Sequence, residues 1–567
     1  MHWVRNQISR HILAASLIAL AAGCSESGST PDDVGITAAA PINAEEASRF
    51  LVQATFGPTS EEIFTTEEQN LSQWMIDQLA EPASLHLEPL RAQAAVGTDL
   101  SSSAASDSFW QTAVEGEDQL RQRMAFALSQ IFVVSDGGSS DLNNQPLAMA
   151  YYMDLLTEGA FGNFRDLIEE VTYSPAMAVY LTYLRNEKAD PDSGRVPDEN
   201  YAREIMQLFT IGLIDLNPDG TPTVGGGETY GTDDVLGLAK VFTGLSQKGG
   251  FRQSDADDDG MFSRLVAYPE FHSTEEKSFL GTTIAAGTGP DQSIGMALDT
   301  LFNHPNTAPY FSRQLIQRFV TSNPTPAYVG RVASAFETGS FRLPDGRSVG
   351  VGRRGDLAAT LAAVLFDSEA RQPPTLVSSQ FGKIREPVLR FVHWARAFDV
   401  ITADAGEERM LKDTSGSSSL AQHPFRPPSV FNFYRPGYIA NGTETGAANL
   451  TAPELQIVNE SSIIGYTNFM SLYVRDDTSN LDGSSGDAFS PDYSDELALV
   501  EVPTQLVDHL DLLLTYGQMG SDTKQRIVDA LNEMPIRDDD NAEEDRIDRV
   551  HMAVQMAVTA AEFTVQH

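Results

Sequence analysis

Residues 120–131, LRQRMAFALSQI, carry the pattern that decides the fold class. Apolar side chains recur there at the spacing of one helix face, at Leu120, Met124, Ala127, Leu128 and Ile131. A repeat of three to four residues indicates an amphipathic helix, whereas alternation would indicate a strand. Alternating runs are few and short, and 260–285 is the one plausible hairpin region. We therefore predict a mainly α fold, a multi-helix globular body with a small β element.

Helical spacing continues through most of the chain. Ala47, Phe50, Leu51 and Ala54 repeat it, as do Leu71, Trp74, Met75 and Leu79. Further helices are predicted at 146–157, 164–184, 198–213, 232–245, 291–303, 307–322, 325–337, 356–367, 382–399, 452–472, 503–515, 521–533 and 543–561.

The composition excludes several classes of protein. The chain has 567 residues with 38 Lys+Arg and 79 Asp+Glu, so the net charge is 38 − 79 = −41. A surface this acidic repels the phosphate backbone, which excludes non-specific binding of nucleic acids. It also lacks the excess of Lys and Arg that binds anionic lipids. One cysteine allows neither an intrachain disulfide nor a cysteine-based metal cluster.

The N-terminus has the organisation of an export signal. Arg5 and Arg10 precede an apolar run at 12–22, which is too short to span a bilayer. The run ends in Leu-Ala-Ala-Gly-Cys at 20–24, which resembles the lipobox of bacterial lipoproteins. Cys24 is then the predicted lipidation site, and Ser25 after it favours the outer membrane. The alternative is an ordinary signal peptide with a chance cysteine.

Composition also suggests the domain organisation. We predict a lipoprotein signal peptide at 1–23, a flexible tether at 24–44 and a helical main domain at 45–475. A Gly/Ser/Asp-rich loop at 476–493 then leads to a C-terminal helical part at 494–567.

The predicted helix 198–213 carries the most informative polar pattern. Asn200, Arg203, Glu204 and Gln207 form a stripe on an otherwise apolar helix. Such a stripe is able to line a cleft, with Glu204 as acid or base and Arg203 holding an anion. The alternative is an exposed face or an internal salt-bridge ladder.

A weak calcium candidate lies at Asp255, Asp257 and Asp259, which have the D-x-D-x-D-G spacing of a calcium loop. Position 12 of that loop is Val266, where a bidentate Glu is needed. An acidic surface loop is the favoured interpretation, and no other cofactor is predicted.

Standard catalytic signatures are missing from the sequence. Neither H-E-x-x-H nor G-x-S-x-G occurs. The run from Gly350 to Gly355 matches G-x-G-x-x-G, but no βαβ unit surrounds it. We interpret it as the start of a helix capped by Asp356.

The segment 425–438 is rich in Pro, Arg and aromatic residues, including Arg426 and Arg435. Such a surface suits sugar rings or a protein partner. An irregular strap over the helical core is the alternative.

Several segments in order resemble one bacterial family, domain of unknown function 1800 (DUF1800). They are ASRFLVQATFGPT at 47–59, ENYAREIMQLFTIGL at 199–213, YGTDDVLGLAKVFTGL at 230–245, FHSTEEKSFLG at 271–281, 304–336, 354–371, 382–398, PFRPPSVFNFYRPGY at 424–438 and AVTAAEF at 557–563. The resemblance implies a helix-rich, exported protein without an established reaction. It also implies a partner from a second exported family, DUF1501, which looks related to sulfatases.

The resemblance adds candidate residues. His272, His304 and Glu386 lie in family-like segments, and His272 joins Arg203 and Glu204 as a catalytic candidate. The family usually has His-Asp where this chain has His272-Ser273, so any role of that acid is absent or passes to Glu275 or Glu276.

Two functional hypotheses follow. The first is a cell-envelope accessory or binding lipoprotein that works with the DUF1501-like partner. The second is an envelope hydrolase or lyase with a polar cleft around Arg203, Glu204 and His272. The candidate binding residues are Asn200, Gln207, His304, Glu386, Arg426 and Arg435.

Overall fold

The computed structural model describes residues 42–137, 140–373, 378, 380–400, 402, 411, 413–476 and 489–567. The predicted signal peptide, Cys24, almost all of the tether and most of the 476–493 loop lie outside the described residues. The described residues belong to one compact unit. Its described part is mainly α with small two-stranded sheets, which confirms the predicted fold class.

The N-terminal helices bury the apolar stripe of residues 120–131. Leu120, Met124, Ala127 and Leu128 are fully buried, and Ile131 is nearly so. The first helix begins with a capping box between Asn43 and Glu46, which satisfies backbone N–H groups at its N-terminus. The helices up to residue 180 are α1 Ala44–Ala54, α2 Ser60–Gln69, α3 Leu71–Ala80, α4 Leu87–Ala95, α5 Ala104–Glu115, α6 Gln119–Ser129, α7 Ser140–Asn143, α8 Pro146–Gly159, α9 Phe164–Thr172 and α10 Pro175–Tyr180.

Prolines set several helix starts and correct two predicted bounds. The helix predicted at 164–184 is two helices, since Pro175 occupies the first turn of α10. The helix predicted at 382–399 starts only at Pro387, because Lys383 and Ile384 pair as a strand. The middle helices are α11 Asn200–Glu204, α12 Thr232–Ala239, α13 Pro290–Phe302, α14 Thr307–Phe319, α15 Pro326–Thr338, α16 Leu357–Phe366, α17 Ser368–Arg371 and α18 Pro387–Ala397.

The C-terminal helices pack onto the N-terminal ones. Ser48 Oγ in α1 donates a hydrogen bond to the carbonyl of Leu512 at 2.8 Å. The helix predicted at 452–472 begins at Glu460, where Asn459 caps it. The remaining helices are α19 Glu444–Ala447, α20 Glu460–Val474, α21 Ser494–Leu499, α22 Pro503–Thr515, α23 Ser521–Asn532, α24 Ala542–Val558 and α25 Ala561–Thr564, with 3₁₀ turns at Gln253–Asp255, Gly260–Phe262 and Pro453–Gln456.

The sheets are antiparallel pairs. The strands are β1 Leu245–Ser246, β2 Val266–Ala267, β3 Lys277–Phe279, β4 Thr282–Ile284, β5 Phe341–Arg342, β6 Ser348–Val349, β7 Lys383–Ile384 and β8 Val565–Gln566, paired β1–β2, β3–β4, β5–β6 and β7–β8. The expected hairpin at 260–285 is confirmed for β3 and β4. Its first half, β2, instead pairs with β1, so Val266 lies opposite Ser246.

Candidate functional site

The helix predicted at 198–213 changes its winding in the middle. Asn200–Glu204 is α-helical and Ile205–Thr210 is a π-helix, so the predicted helix is both shorter and interrupted. Short π segments are frequent at functional sites because they re-aim side chains. The polar stripe is divided: Arg203 is exposed, Glu204 is buried, and Asn200 and Gln207 are half-buried. Of these four residues, only Gln207 lies in the π segment.

Arg203 and Glu204 are not an ion pair. The Arg203 guanidinium pairs with Glu199 at 3.2 Å, one turn earlier on the surface. Glu204 Oε2 is buried and has no hydrogen-bond partner among the described residues. Burial raises the pKa of the Glu204 carboxyl, and the charge of Arg203 only partly opposes the shift. A buried carboxylate oxygen without a hydrogen-bond partner is costly, so this helix holds Glu204 in an unfavourable environment.

Three tyrosines lie near enough to Glu204 for its charge to raise their pKa values, Tyr180, Tyr230 and Tyr310. Burial raises the pKa of Tyr180 to about 12, and the charge of Glu204 adds to the shift. Tyr230 donates its hydroxyl hydrogen bond to Gln207 Oε1 at 3.1 Å, and Tyr310 donates to the backbone oxygen of Gln207 at 2.9 Å. Tyr230 and Tyr310 therefore hold Gln207 in place within the π segment.

His272 lies in a different polar setting. Its Nδ1 is 2.9 Å from the backbone oxygen of Thr243, and its Nε2 is 3.3 Å from Ser293 Oγ. Burial lowers the pKa of His272 to about 4, so the imidazole is neutral at pH 7. Among the described residues, no hydrogen bond or ion pair joins His272 to Arg203 or Glu204.

The residue after His272 is also engaged internally. The backbone N–H of Ser273 donates to Thr243 Oγ1 at 2.9 Å. Glu275 pairs with Lys240 at 2.7 Å on the surface. Thr243 thus fixes both members of the His272-Ser273 pair.

His304 lies in the turn between α13 and α14. Its Nδ1 accepts a hydrogen bond from the backbone N–H of Asn306 at 3.1 Å, and burial lowers its pKa. Asn306 in turn donates to the backbone oxygens of Ile211 and Ile214 at 2.9 and 2.8 Å. This turn therefore positions the chain that follows the π segment.

Glu386 is fully buried at the start of α18. Its Oε2 accepts hydrogen bonds from Gln130 Nε2 at 2.6 Å and from the Tyr434 hydroxyl at 3.0 Å. Gln422 Nε2 donates to the same oxygen. Three separate segments of chain therefore converge on one carboxylate.

Buried cations surround that carboxylate. We call Arg123, Arg318, Lys383, Glu386 and Glu454 the buried ionic cluster. Lys383 pairs with Glu454 at 3.2 Å and also donates to the backbone oxygen of Arg318 at 2.9 Å. Arg123 donates to that same oxygen at 2.6 Å, and burial lowers the pKa of Arg123 to about 10.

Several polar atoms of the buried ionic cluster lack hydrogen-bond partners among the described residues. They are Arg123 Nε and Nη1, Arg318 Nε, Glu386 Oε1 and Glu454 Oε2. Sequence reasoning named only Glu386 of this group. Arg123 and Arg318 lie in α6 and α14, Lys383 in β7, and Glu454 in the 3₁₀ turn Pro453–Gln456, so no local spacing marks them as one group.

The segment 425–438 covers the helical core. Phe425 packs edge-on against Phe109 at a centroid distance of 6.1 Å, and Tyr434 reaches Glu386. Arg426 bonds to Asp136 at 3.0 Å and to Asp413 at 2.8 Å. Arg435 is exposed and lies over the Phe431 ring at 4.8 Å. The inner side of the segment therefore covers the helical core, as the alternative interpretation predicted. On its outer side, Arg435 is exposed to solvent.

Asp255, Asp257 and Asp259 are all exposed. The described residues contain no group of three or more His, Cys, Asp or Glu side chains placed to hold a metal ion. In the same part of the chain, no helix has the length and apolar character needed to cross a membrane.

Exposed apolar side chains lie on the loop that follows the π segment. The chain doubles back between 213 and 229, with Ile214 bridging Glu228 and Leu216 bridging Pro222. We call it the 213–229 loop. Leu213 and Ile214 are each 53% exposed, and Val224 near the turn is fully exposed. The Tyr230 hydroxyl fastens the end of this loop to Gln207 of the π segment.

Comparison with known proteins supports the family resemblance of the sequence. A family model described as "Protein of unknown function (DUF1800)" matches residues 49–565, nearly the whole chain. No curated protein and no solved structure matches it. The chain belongs to the DUF1800 family.

Proposed function

We propose that this chain is an accessory or binding protein of the cell envelope, and that it docks a protein partner on the 213–229 loop and the adjacent Arg203. The main observation that supports this proposal is that Leu213, Ile214 and Val224 are exposed on one loop. Aliphatic side chains on a polar surface are typical of interaction sites, and Arg is enriched among residues that dominate binding energy.

The polar candidates support binding more than chemistry. Both ring nitrogens of His272 lie within hydrogen-bonding distance of internal groups, and Arg203 is held by Glu199 on the surface. A hydrolase needs an acid, a base and an anion holder within reach of one reacting group. The contacts of His272 and Arg203 favour separate structural and surface roles.

The family resemblance suggests the partner. We propose an exported DUF1501-like protein, related in appearance to sulfatases, with this chain exported and lipid-anchored through Cys24, in the outer membrane. The pattern 20–24 supports the anchor. Cys24→Ser should release the protein from membranes and from the detergent phase. Equal partitioning of variant and wild type would contradict the anchor.

The docking surface is tested by co-purification from membranes. The triple variant Leu213→Ser, Ile214→Ser and Val224→Ser should lose a DUF1501-like protein that wild type retains. Val96→Ser is the matched control, since Val96 is 84% exposed in a different part of the chain. Retention by the triple variant would contradict the surface, and recovery of no such protein with wild type would contradict the partner.

A second function, an envelope hydrolase or lyase, is favoured by one observation, the unpartnered oxygen of buried Glu204. Unsatisfied buried acids cluster at catalytic sites because they are held for a substrate. Glu204→Gln should then fold normally and fail to complement a deletion strain while still retaining the co-purifying partner. A Glu204→Gln strain that grows as wild type would exclude this role.

A further inference from the structure

The turn at 440–443 carries the Asn-Gly junction of the sequence, Asn441-Gly442. The Thr443 backbone N–H donates to the Ala440 oxygen at 3.3 Å, and the Thr443 hydroxyl donates to the same oxygen at 2.7 Å. Gly442 has a φ of +87°, in the left-handed region that favours glycine. The junction thus lies at the corner of a closed turn.

Both residues of this junction are exposed. The side-chain amide of Asn441 and the backbone N–H of Gly442 have no hydrogen-bond partner among the described residues. A methyl group added at Gly442 would meet nothing within 4 Å, so the space around this backbone is open. The Asn441 amide is therefore free to rotate towards the backbone nitrogen that follows it.

An asparagine in this setting is able to react with its own backbone. The Gly442 nitrogen attacks the side-chain carbonyl carbon of Asn441, a C–N bond forms, and the bond to the amide nitrogen breaks. That nitrogen leaves as ammonia and takes the proton of the Gly442 N–H. Water then opens the cyclic succinimide at either carbonyl, which gives an aspartyl or an isoaspartyl linkage.

Hydrogen bonds protect the other junctions of this kind. An Asp-Gly sequence also forms a succinimide, with loss of water, and the glycine nitrogen is again the nucleophile. In the described part of the chain, every glycine that follows an aspartate already donates its N–H. Gly220, Gly260 and Gly346 donate to backbone oxygens at 2.9 Å, and Gly137 donates to Ser135 Oγ at 3.2 Å. Their nitrogens must lose a hydrogen bond before they react.

We propose that Asn441 is a site of spontaneous deamidation in the folded protein, with an aspartyl and an isoaspartyl residue as products. Each event adds one negative charge, because the new carboxyl is ionised at neutral pH. The isoaspartyl product also lengthens the main chain by one carbon inside the 440–443 turn. The site is distinct from the 213–229 loop and does not depend on the proposed function.

The turn is tied to α19 through Thr443. Its Oγ1 accepts a hydrogen bond from the backbone N–H of Gly446 at 3.0 Å, which caps this short helix. A main chain that gains an atom before Thr443 displaces both this cap and the turn hydrogen bond to Ala440. The aspartyl product keeps the original spacing, so the two products differ in local structure.

Peptide mapping by mass spectrometry tests the proposal on the full chain in mildly alkaline buffer, with a urea-unfolded sample as the reference. Folded Asn441 should react at a rate within about tenfold of the unfolded rate, because an exposed turn needs no unfolding. Two product peptides of equal mass should separate by chromatography. The Asp345-Gly346 junction should isomerise faster in urea than in the folded chain. Protection of Asn441 by more than about tenfold, or no product in either sample, would overturn the proposal.

Leu450→Gly supplies a matched control within the same chain. It places a second exposed Asn-Gly junction at Asn449, where the N–H of residue 450 donates to the Thr445 oxygen at 2.9 Å. In the folded variant, Asn449 should react about tenfold more slowly than Asn441, whereas the two rates should be equal in urea. Asn441→Gln should abolish the products of this turn, because glutamine needs a larger ring. Products that persist in Asn441→Gln, or equal folded rates at Asn449 and Asn441, would overturn the assignment to the free Gly442 N–H.

Discussion

The Tyr434 hydroxyl donates a 3.0 Å hydrogen bond to Glu386 Oε2, and this contact fastens the irregular segment 425–438 to the buried ionic cluster. The cluster contains three cations and two carboxylates, so Glu386 is one of only two compensating charges. A hydrogen bond to a buried carboxylate is worth more than one between neutral groups. Tyr434 is thus an anchor of the segment, and its aromatic ring is not free for a ligand.

The first prediction follows from that contact. Tyr434→Phe should lower the free energy of unfolding by about 1.5–3 kcal/mol, the usual value for a bond to a charged group. Glu386→Ala should cost more, about 3–5 kcal/mol, because it leaves buried cations uncompensated. Urea denaturation of the full chain measures both. Arg435→Ala, next to Tyr434 but exposed, should stay within about 0.5 kcal/mol of wild type. A larger loss of unfolding free energy in Arg435→Ala would show that the outer side of the segment 425–438 contributes to holding it in place.

Local sequence patterns predicted the features that depend on neighbouring residues. The Leu120–Ile131 stripe is buried as expected, and Asp356 caps α16 through the backbone N–H of Ala359 at 2.9 Å, as proposed for the G-x-G-x-x-G run. Both follow from helix geometry, which the sequence carries at short range. Helix ends predicted without tertiary contacts were less accurate, as at Pro387.

Long-range arrangements were not predictable in the same way. Arg123 and Arg318 join the buried ionic cluster from helices 195 residues apart in sequence, a contact that no spacing rule encodes. Gln207 lies in the π-helix, where Tyr230 and Tyr310 from distant parts of the chain hydrogen-bond to it.

The packing of α12 on β3 gives the second prediction. A methyl group added at Gly237 would lie 1.8 Å from the backbone oxygen of Ser278, which cannot move without breaking β3. Gly237→Ala should therefore destabilise the protein by about 1–3 kcal/mol or more. Gly295 in α13 is the matched control, because a methyl group there meets nothing within 4 Å. Gly295→Ala should raise stability by about 0.5–1 kcal/mol. Thermal denaturation compares them, and equal melting temperatures would contradict the close approach.

The third prediction concerns pH and His272. Burial lowers its folded pKa to about 4, below the ordinary value near 6.5. The neutral imidazole is therefore favoured in the folded state, and its contribution to stability is present above about pH 6.5 and is lost as pH falls through about 4. His272→Asn keeps a donor for the Thr243 oxygen but does not titrate. The unfolding free energy of this variant should fall less steeply than that of wild type between about pH 6.5 and 4. Parallel pH profiles would show that His272 titrates as it does when unfolded.

The last prediction concerns Glu204, whose pKa shift and pH dependence of stability have the opposite direction to those of His272. Burial raises the folded pKa of this acid, so its favourable contribution is present below the unfolded value near 4.3 and is lost as pH rises through the folded pKa. Glu204→Gln avoids that loss, because glutamine is neutral at every pH. The variant should therefore gain stability relative to wild type as pH rises from about 4 to 8. Glu199→Gln removes only the exposed partner of Arg203 and should change stability by less than about 0.5 kcal/mol at every pH. Melting temperatures of wild type and variant across this pH range test the prediction. If Glu204→Gln melts earlier than wild type at pH 8, the ionised carboxylate is stabilised by a group that it contacts. A variant that melts later confirms that the fold holds Glu204 at a cost, as the unpartnered Oε2 indicates.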